Sequence, residues 1–159
     1  MPGDKRIVTF NFLAEPTDVN FGGKVHGGAV MKWIDQVAYA CASGWSKHYC
    51  VTVYVGGIRF FKPIQIGHSV KLEAKVIYTG NSSMHISVDV WSGSLWEENW
   101  TKNTHCIIIF VAMDESGTPS SVPKWVPETE QDKALEAYAI RLMERRKLIE
   151  DEMLPFFEN

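Results

Sequence analysis

One acid and two glycines pose the chemical question in this chain. In the stretch Asn20-Phe-Gly-Gly-Lys-Val-His26-Gly-Gly-Ala-Val-Met-Lys-Trp-Ile-Asp35, a loop runs into a helix that carries a single carboxylate. Gly27 and Gly28 open that helix. The first N–H groups of a helix have no intrahelical acceptor and are free to donate to an outside oxygen, which is the chemistry of an oxyanion hole. Asp35 borders the apolar stripe of Val30, Trp33, Ile34, Val37, Ala38 and Cys41, which recur at helical spacing. A carboxylate beside a buried face costs free energy unless it is hydrogen-bonded or at work. Asp35 is therefore either a hydrogen-bonded residue on the helix shoulder or a working one, a general base on water or the nucleophile itself. His26 is a second candidate base, with a competing role as the residue that holds the helix start.

Spacing carries the next step. Gly27 and Asp35 are eight residues apart, and at about 1.5 Å of helical rise per residue they stand roughly 12 Å apart along the axis. They cannot act on one carbonyl. If both serve one reaction centre, a second copy of the helix supplies the other half, so the expected active unit is a homodimer with antiparallel helices side by side.

The elements that must position these groups are legible in the periodicity. Arg6 to Phe12 reads as a short strand, and Glu15 to Asn20 as a polar turn feeding the glycine loop. The helix is expected over Gly27 to Ser43, with Gly44 as its stop. From Val51 the odd positions are apolar up to Val55, and after Gly56-Gly57 the even positions Ile58 and Phe60 take over, which predicts one long strand bent at a β-bulge. Val70 to Tyr78 and Met84 to Val90 alternate around the turn Gly80-Asn-Ser-Ser83, an antiparallel hairpin. Trp91 to Asn103 reads as strand ends and a longer loop. Cys106 to Met113 is almost continuously apolar and is expected to be a central strand covered on both faces. Glu130 to Glu152 reads as a charged helix with Leu135, Tyr138, Leu142 and Ile149 along one seam, either docked on the rest or a mostly solvated tail.

Composition excludes several classes. The 159 residues are 45% hydrophobic and 22% charged, as expected for one ordinary globular fold. A formal net charge of −3 argues against nucleic acid as a partner. No run approaches the roughly 18 apolar residues of a membrane span, and Met-Pro-Gly-Asp-Lys-Arg at the start lacks the apolar core of a signal peptide, so a cytoplasmic location is expected. Cys41, Cys50 and Cys106 are odd in number and sit in apolar contexts, which favours buried free thiols. His48, His68, His85 and His105 share no metal-ligand spacing, and no metal is expected.

A helix after the first strand, followed by four antiparallel strands, describes a sheet wrapped around a helix, an α+β arrangement. The chain resembles the hotdog-fold acyl-CoA thioesterases, specifically the brain-type acyl-CoA hydrolases and their short bacterial relatives. The resemblance rests on Asn20 to Asp35 as quoted, Val51-Thr52, Phe60-Phe-Lys-Pro63, Gly67, Gly80-Asn-Ser-Ser-Met84, and Phe110-Val-Ala-Met-Asp114 leading to Val122-Pro123. It spans about Phe10 to Pro123. One departure is His68 after Gly67, where the family usually has an acid.

The resemblance implies a hotdog domain over residues 1–127 and a helical extension over 128–159. It implies hydrolysis of a fatty acyl-CoA to free acid and CoA in a site shared between two subunits, with dimers often assembled into a hexamer, a trimer of dimers. It makes Asp35 and Asn20, from opposite subunits, the catalytic pair, with the Gly27 and Gly28 amides polarising the carbonyl. His26, Arg59, Lys62, Ser82 and Ser83 become candidate contacts to the substrate, with Lys75 a further candidate for the CoA phosphates. No cofactor is expected, because coenzyme A is part of the substrate. Two rivals stand beside this reading, a non-catalytic acyl-CoA-binding hotdog and a hotdog enoyl-CoA hydratase. The second lacks a histidine that could pair with Asp35 on its helix.

Overall fold

Five stretches of period-two alternation close into a single antiparallel sheet. The computed structural model describes residues 1–158; Asn159, the last residue of the expected extension, lies outside them. Strands β1 (Ile7–Leu13), β2 (Tyr49–Phe60), β3 (Ser69–Thr79), β4 (Ser83–Gly93) and β5 (Thr101–Met113) lie in the order β1-β3-β4-β5-β2. Helix α1 (Gly27–Ser46) packs on one face and α2 (Glu130–Phe157) on the other. A sheet curled around α1 is the hotdog arrangement.

The core beneath α1 follows from alternation. Leu72, Ala74 and Val76 of β3 stand opposite Val90, Val88 and Ile86 of β4. All six are buried against Ile34, Val37, Ala38 and Cys41 of the helix. Strand β5 is covered on both faces, as its apolar run predicts: Cys106, Ile108 and Phe110 face α1, while Ile107 and Ile109 face α2. The bulge expected at Gly56-Gly57 is present. The β2–β5 register shifts between Gly56 and Arg59, where Gly57 takes φ +67°, and a second shift at Val53 bends the strand further.

Two helix ends differ from the sequence reading. Helix α1 passes through Gly44 and stops at Ser46, capped by Lys47 at φ 59°. Trp45 is buried and its indole N–H donates to the Pro123 carbonyl at 2.9 Å. Such anchoring outweighs the roughly 1 kcal/mol that a glycine inside a helix costs. Helix α2 is capped by Thr129, whose hydroxyl accepts from the Asp132 N–H at 3.0 Å, and it continues past Glu152 to Phe157. The expected seam packs at Leu135, Tyr138 and Leu142 against Ile77, Ile107 and Ile109. Its fourth member, Ile149, stays half exposed, and the fully buried residue of the helix is Ala139, too small to stand out in the pattern.

Candidate active site

The glycine loop is a closed structure in its own right. Asn20 Oδ1 accepts the Gly22 and Lys24 N–H groups at 2.9 and 3.0 Å, and the Asn20 N–H donates to the Lys24 carbonyl. Gly23, at φ +78°, makes the turn. With both loop amides on its oxygen, Asn20 has its side-chain NH2 without a partner among the described residues, so towards any ligand it is a donor. The side-chain amine of Lys24 is tied to Gln65 at 2.8 Å.

The two helix-opening glycines behave differently. His26 is the N-cap of α1, and its Nδ1 accepts the Gly28 N–H at 2.8 Å. That ring position corrects the picture of two equivalent free amides: Gly28 is engaged by His26, whereas no hydrogen bond engages the Gly27 N–H among the described residues. Spatial demands differ in the same way. A Cβ on Gly28 would press on the His26 ring at 3.1 Å, but a Cβ on Gly27 would meet Phe60 only at an ordinary 3.9 Å. Packing within the chain is tight around a Cβ at 28 and leaves room for one at 27. His26 itself is held at the helix start, in keeping with its capping role.

Asn20 and Gly27 line one cleft of about 340 Å³ with Val30, Phe60, Lys62 and Asn103. Its wall is fixed from β5: the Asn103 amide donates to the Lys62 and Pro63 carbonyls at 3.2 and 3.3 Å, and the Phe61 N–H returns a bond to the Asn103 carbonyl. Asp35 does not line this cleft. It stands exposed further along α1, where the Thr52 hydroxyl donates to its Oδ1 at 3.2 Å. Thr52 is the residue that the candidate list omits. On a strand a threonine reads as a β-former, and no local spacing links it to an acid 17 positions earlier.

The substrate-contact candidates divide too. Lys62 belongs to the cleft. Arg59 stacks its guanidinium over Phe61 at 4.7 Å, outside the cleft lining. Ser82 and Ser83 sit at the β3–β4 turn, where Ser83 pairs in register with Val111, whereas Phe60 pairs with Thr104. Seven residues of strand separate those ends, roughly 23 Å at about 3.3 Å per residue. Within one chain the two serines and Lys62 therefore do not form one pocket, because the turn lies at the opposite end of the sheet. Lys75 sits on β3 opposite Ile7 of β1, also apart from the cleft.

No helix is long and apolar enough to cross a membrane among the described residues. Nor do three or more His, Cys, Asp or Glu side chains gather there as a metal-binding group. Cys41, Cys50 and Cys106 are free and buried, as expected, and burial pushes the Cys41 and Cys106 thiols up to about 12.

Comparison with known proteins turns on the same segments. The sequence model of the thioesterase superfamily matches residues 22–95, from the glycine loop through β4. The chain is 34% identical over 132 residues to the uncharacterised acyl-CoA thioester hydrolase YkhA of Bacillus subtilis, covering 83% of this chain and 77% of that one. Among solved structures, an apo-hexameric acyl-CoA thioesterase superposes with a TM-score of 0.87 at 33% identity, over 92% of this chain and 94% of that one. The acyl-CoA hydrolase of Staphylococcus aureus, solved with butyryl coenzyme A, coenzyme A and coenzyme A disulfide, superposes with a TM-score of 0.90 at 28% identity, over 99% and 96%. It was also solved as single alanine variants of an asparagine, an aspartate and a threonine. With the hotdog sheet, the glycine-opened helix and these relatives in agreement, the chain belongs to the thioesterase superfamily, among its acyl-CoA thioester hydrolases.

Proposed function

We propose that the protein hydrolyses fatty acyl-CoA to free fatty acid and CoA at a site built from two copies of the chain, with Asp35 as general base or nucleophile. One observation supports this reading: the candidate residues stand in two separate sets within one chain. Asn20, Gly27 and Lys62 share the cleft, and the Asp35–Thr52 pair stands outside it. A second copy with its α1 antiparallel brings the second set of one chain to the first set of the other. The three variants of the S. aureus hydrolase support the choice of residues, since their asparagine, aspartate and threonine are separated by 15 and 17 positions, the spacing of Asn20, Asp35 and Thr52 here.

In this reading the free Gly27 N–H donates to the thioester carbonyl oxygen and favours the charge that develops there. The Gly28 N–H joins it only when His26 turns away. Thr52 holds Asp35 by Oδ1, which leaves Oδ2 to act. Asp35 either takes a proton from the attacking water or attacks the carbonyl carbon itself, giving a mixed anhydride that water then opens. Both routes consume one water, release CoA as the thiol and leave the acid. The side-chain NH2 of Asn20 orients the water or the carbonyl. Lys62 and Arg59 serve the CoA phosphates, and Ser82 and Ser83 reach the nucleotide from the second copy. Assembly into a hexamer follows the solved relative, and the buried free thiols suit the reducing cytoplasm.

Mixing tests the shared site. Asp35→Ala chains keep an intact Asn20 loop, and Asn20→Ala chains keep an intact Asp35. Heterodimers of the two should rebuild one wild-type site and release thiol from acyl-CoA well above either parent. Verified heterodimers of folded chains as inactive as the parents would place both residues in one chain's site and end the model. Thiol release also separates hydrolysis from mere acyl-CoA binding.

A further inference from the structure

Helix α2 is longer than the sheet it covers. It starts beside β1, where Arg6 pairs with Asp132 at 2.9 Å, crosses Ile77 of β3 and Ile107 and Ile109 of β5, and reaches β2 where Arg146 lies over Tyr54 at 5.2 Å. Leu142, Met143 and Ile149 there wall an apolar cleft of about 180 Å³ with Tyr54, Gly56 and Gly57. Strand β2 is the last strand of the sheet. From Asp132 to Ile149 the helix rises roughly 25 Å, enough to cross the four strand spacings of about 4.8 Å from β1 to β2. Glu150 to Phe157 then adds about 12 Å with no strand of this chain left to cover.

The last part of that overhang, Met153 to Phe157, is apolar where a solvated end would be polar. Met153 and Leu154 are exposed, and Phe156 and Phe157 are 86% and 82% exposed at the helix tip. The strand it passes is equally unfinished. β2 has a free backbone edge and exposes Val53 and Val55, a surface suited to pairing with another strand. Charge along α2 is self-complementary: besides Arg146, which pairs with Glu150 within the helix at 3.3 Å, the exposed Arg145 and Lys147 precede Asp151 and Glu152. Two such helices side by side and antiparallel set each basic turn against the other's acidic turn, as a two-fold interface requires.

We propose that Glu150–Phe157 is a clasp between subunits, in which the end of each α2 passes over the β2 edge onto a second copy and its phenylalanine tip closes the cleft beside Tyr54 and Gly57 of that copy. The second copy is the one invoked for the shared active site, so the clasp rests on that reading. It gives α2 a function that the chemistry does not use: fastening the two half-sites together.

A photo-cross-linking benzoylphenylalanine in place of Phe157, in the full chain, should yield a covalent dimer on illumination. With isotopically heavy and light chains mixed, the adduct peptides should be heavy–light hybrids that map to β2 or α2. No dimeric adduct, or adducts only within one chain or on other elements, overturns the clasp. As a second arm, F156S/F157S should raise the dimer dissociation constant at least tenfold on dilution, while turnover per dimer above that constant stays at the wild-type value. Unchanged dissociation also overturns the clasp. Recovery of activity in the Asp35/Asn20 mixture then shows that the shared site survives alone, whereas a wild-type chain that sediments as a monomer at assay concentrations ends both proposals.

Discussion

Two acids, one on the sheet and one on α1, stand in opposite circumstances, and the difference separates chemistry from architecture. Asp89, on β4 under α2, has every reason to be quiet. Burial works against its charge, yet bonds from His105 at 2.8 Å and Lys102 at 3.0 Å outweigh it and hold the carboxyl below its ordinary range. The His105 ring bridges Asp89 at Nδ1 and the Tyr138 hydroxyl at Nε2, 2.8 and 2.9 Å away, which ties α2 to the sheet. An acid, a histidine and a hydroxyl in line resemble catalytic machinery, but every member is engaged within the fold. Asp35, on the α1 side, has one hydroxyl partner and is open to its surroundings. The proposed mechanism uses the acid with spare hydrogen-bonding capacity.

The sharpest way to break this contrast is to remove each acid. Asp35→Ala should lower kcat at least ~10²-fold, about 2.7 kcal/mol of barrier, with thermal stability nearly unchanged. Near-full turnover in a thiol-release assay would sink the proposed mechanism. Asp89→Asn should do the reverse, costing about 1–3 kcal/mol of stability through the weakened bonds to His105 and Lys102 and leaving kcat close to wild type. At this chain length each kcal/mol is worth about 2–4 °C in Tm, readable by calorimetry.

Acid titration sharpens the comparison on the α2 side. Burial, helped by the nearby Arg146 charge, pushes His85 down to about 4. The fold therefore holds the ring neutral, while the unfolded chain takes up a proton near 6.5. Stability from this group is fully present above pH 6.5 and is lost as pH falls from 6.5 towards 4, by up to about 3 kcal/mol. His85→Leu, which keeps an apolar filling beside Tyr78, should flatten that part of the stability curve. A variant with the wild-type slope between pH 4 and 6.5 would assign the dependence to other groups.

The smallest expected effect is none at all: EDTA should leave turnover unchanged, because the proposed site relies on a carboxylate and backbone amides. Loss of activity on chelation, restored by zinc, would show that a metal does part of the work and that the Asp35–Asp89 contrast is incomplete.

Much of this architecture is local in origin and was legible in the sequence. Alternation over Val70–Val90 specifies the hairpin, the phase change at Gly56-Gly57 specifies a bulge, and the apolar run Cys106–Met113 specifies a strand covered on both sides, since each pattern reflects a repeat of two residues along one chain. The place of Asp35 beside a stripe of helical period was legible for the same reason, while its proposed role rests on the resemblance. Other features depend on partners distant in sequence. The burial of Trp45 against Pro123 carries α1 past Gly44, the His26 ring makes Gly27 and Gly28 unequal, and the bend of β2 places the Thr52 hydroxyl on Asp35. Periodicity reports which face a residue turns inward, but a hydrogen bond between residues far apart in the chain is decided by how helices and strands pack, and only the folded chain brings those atoms within reach.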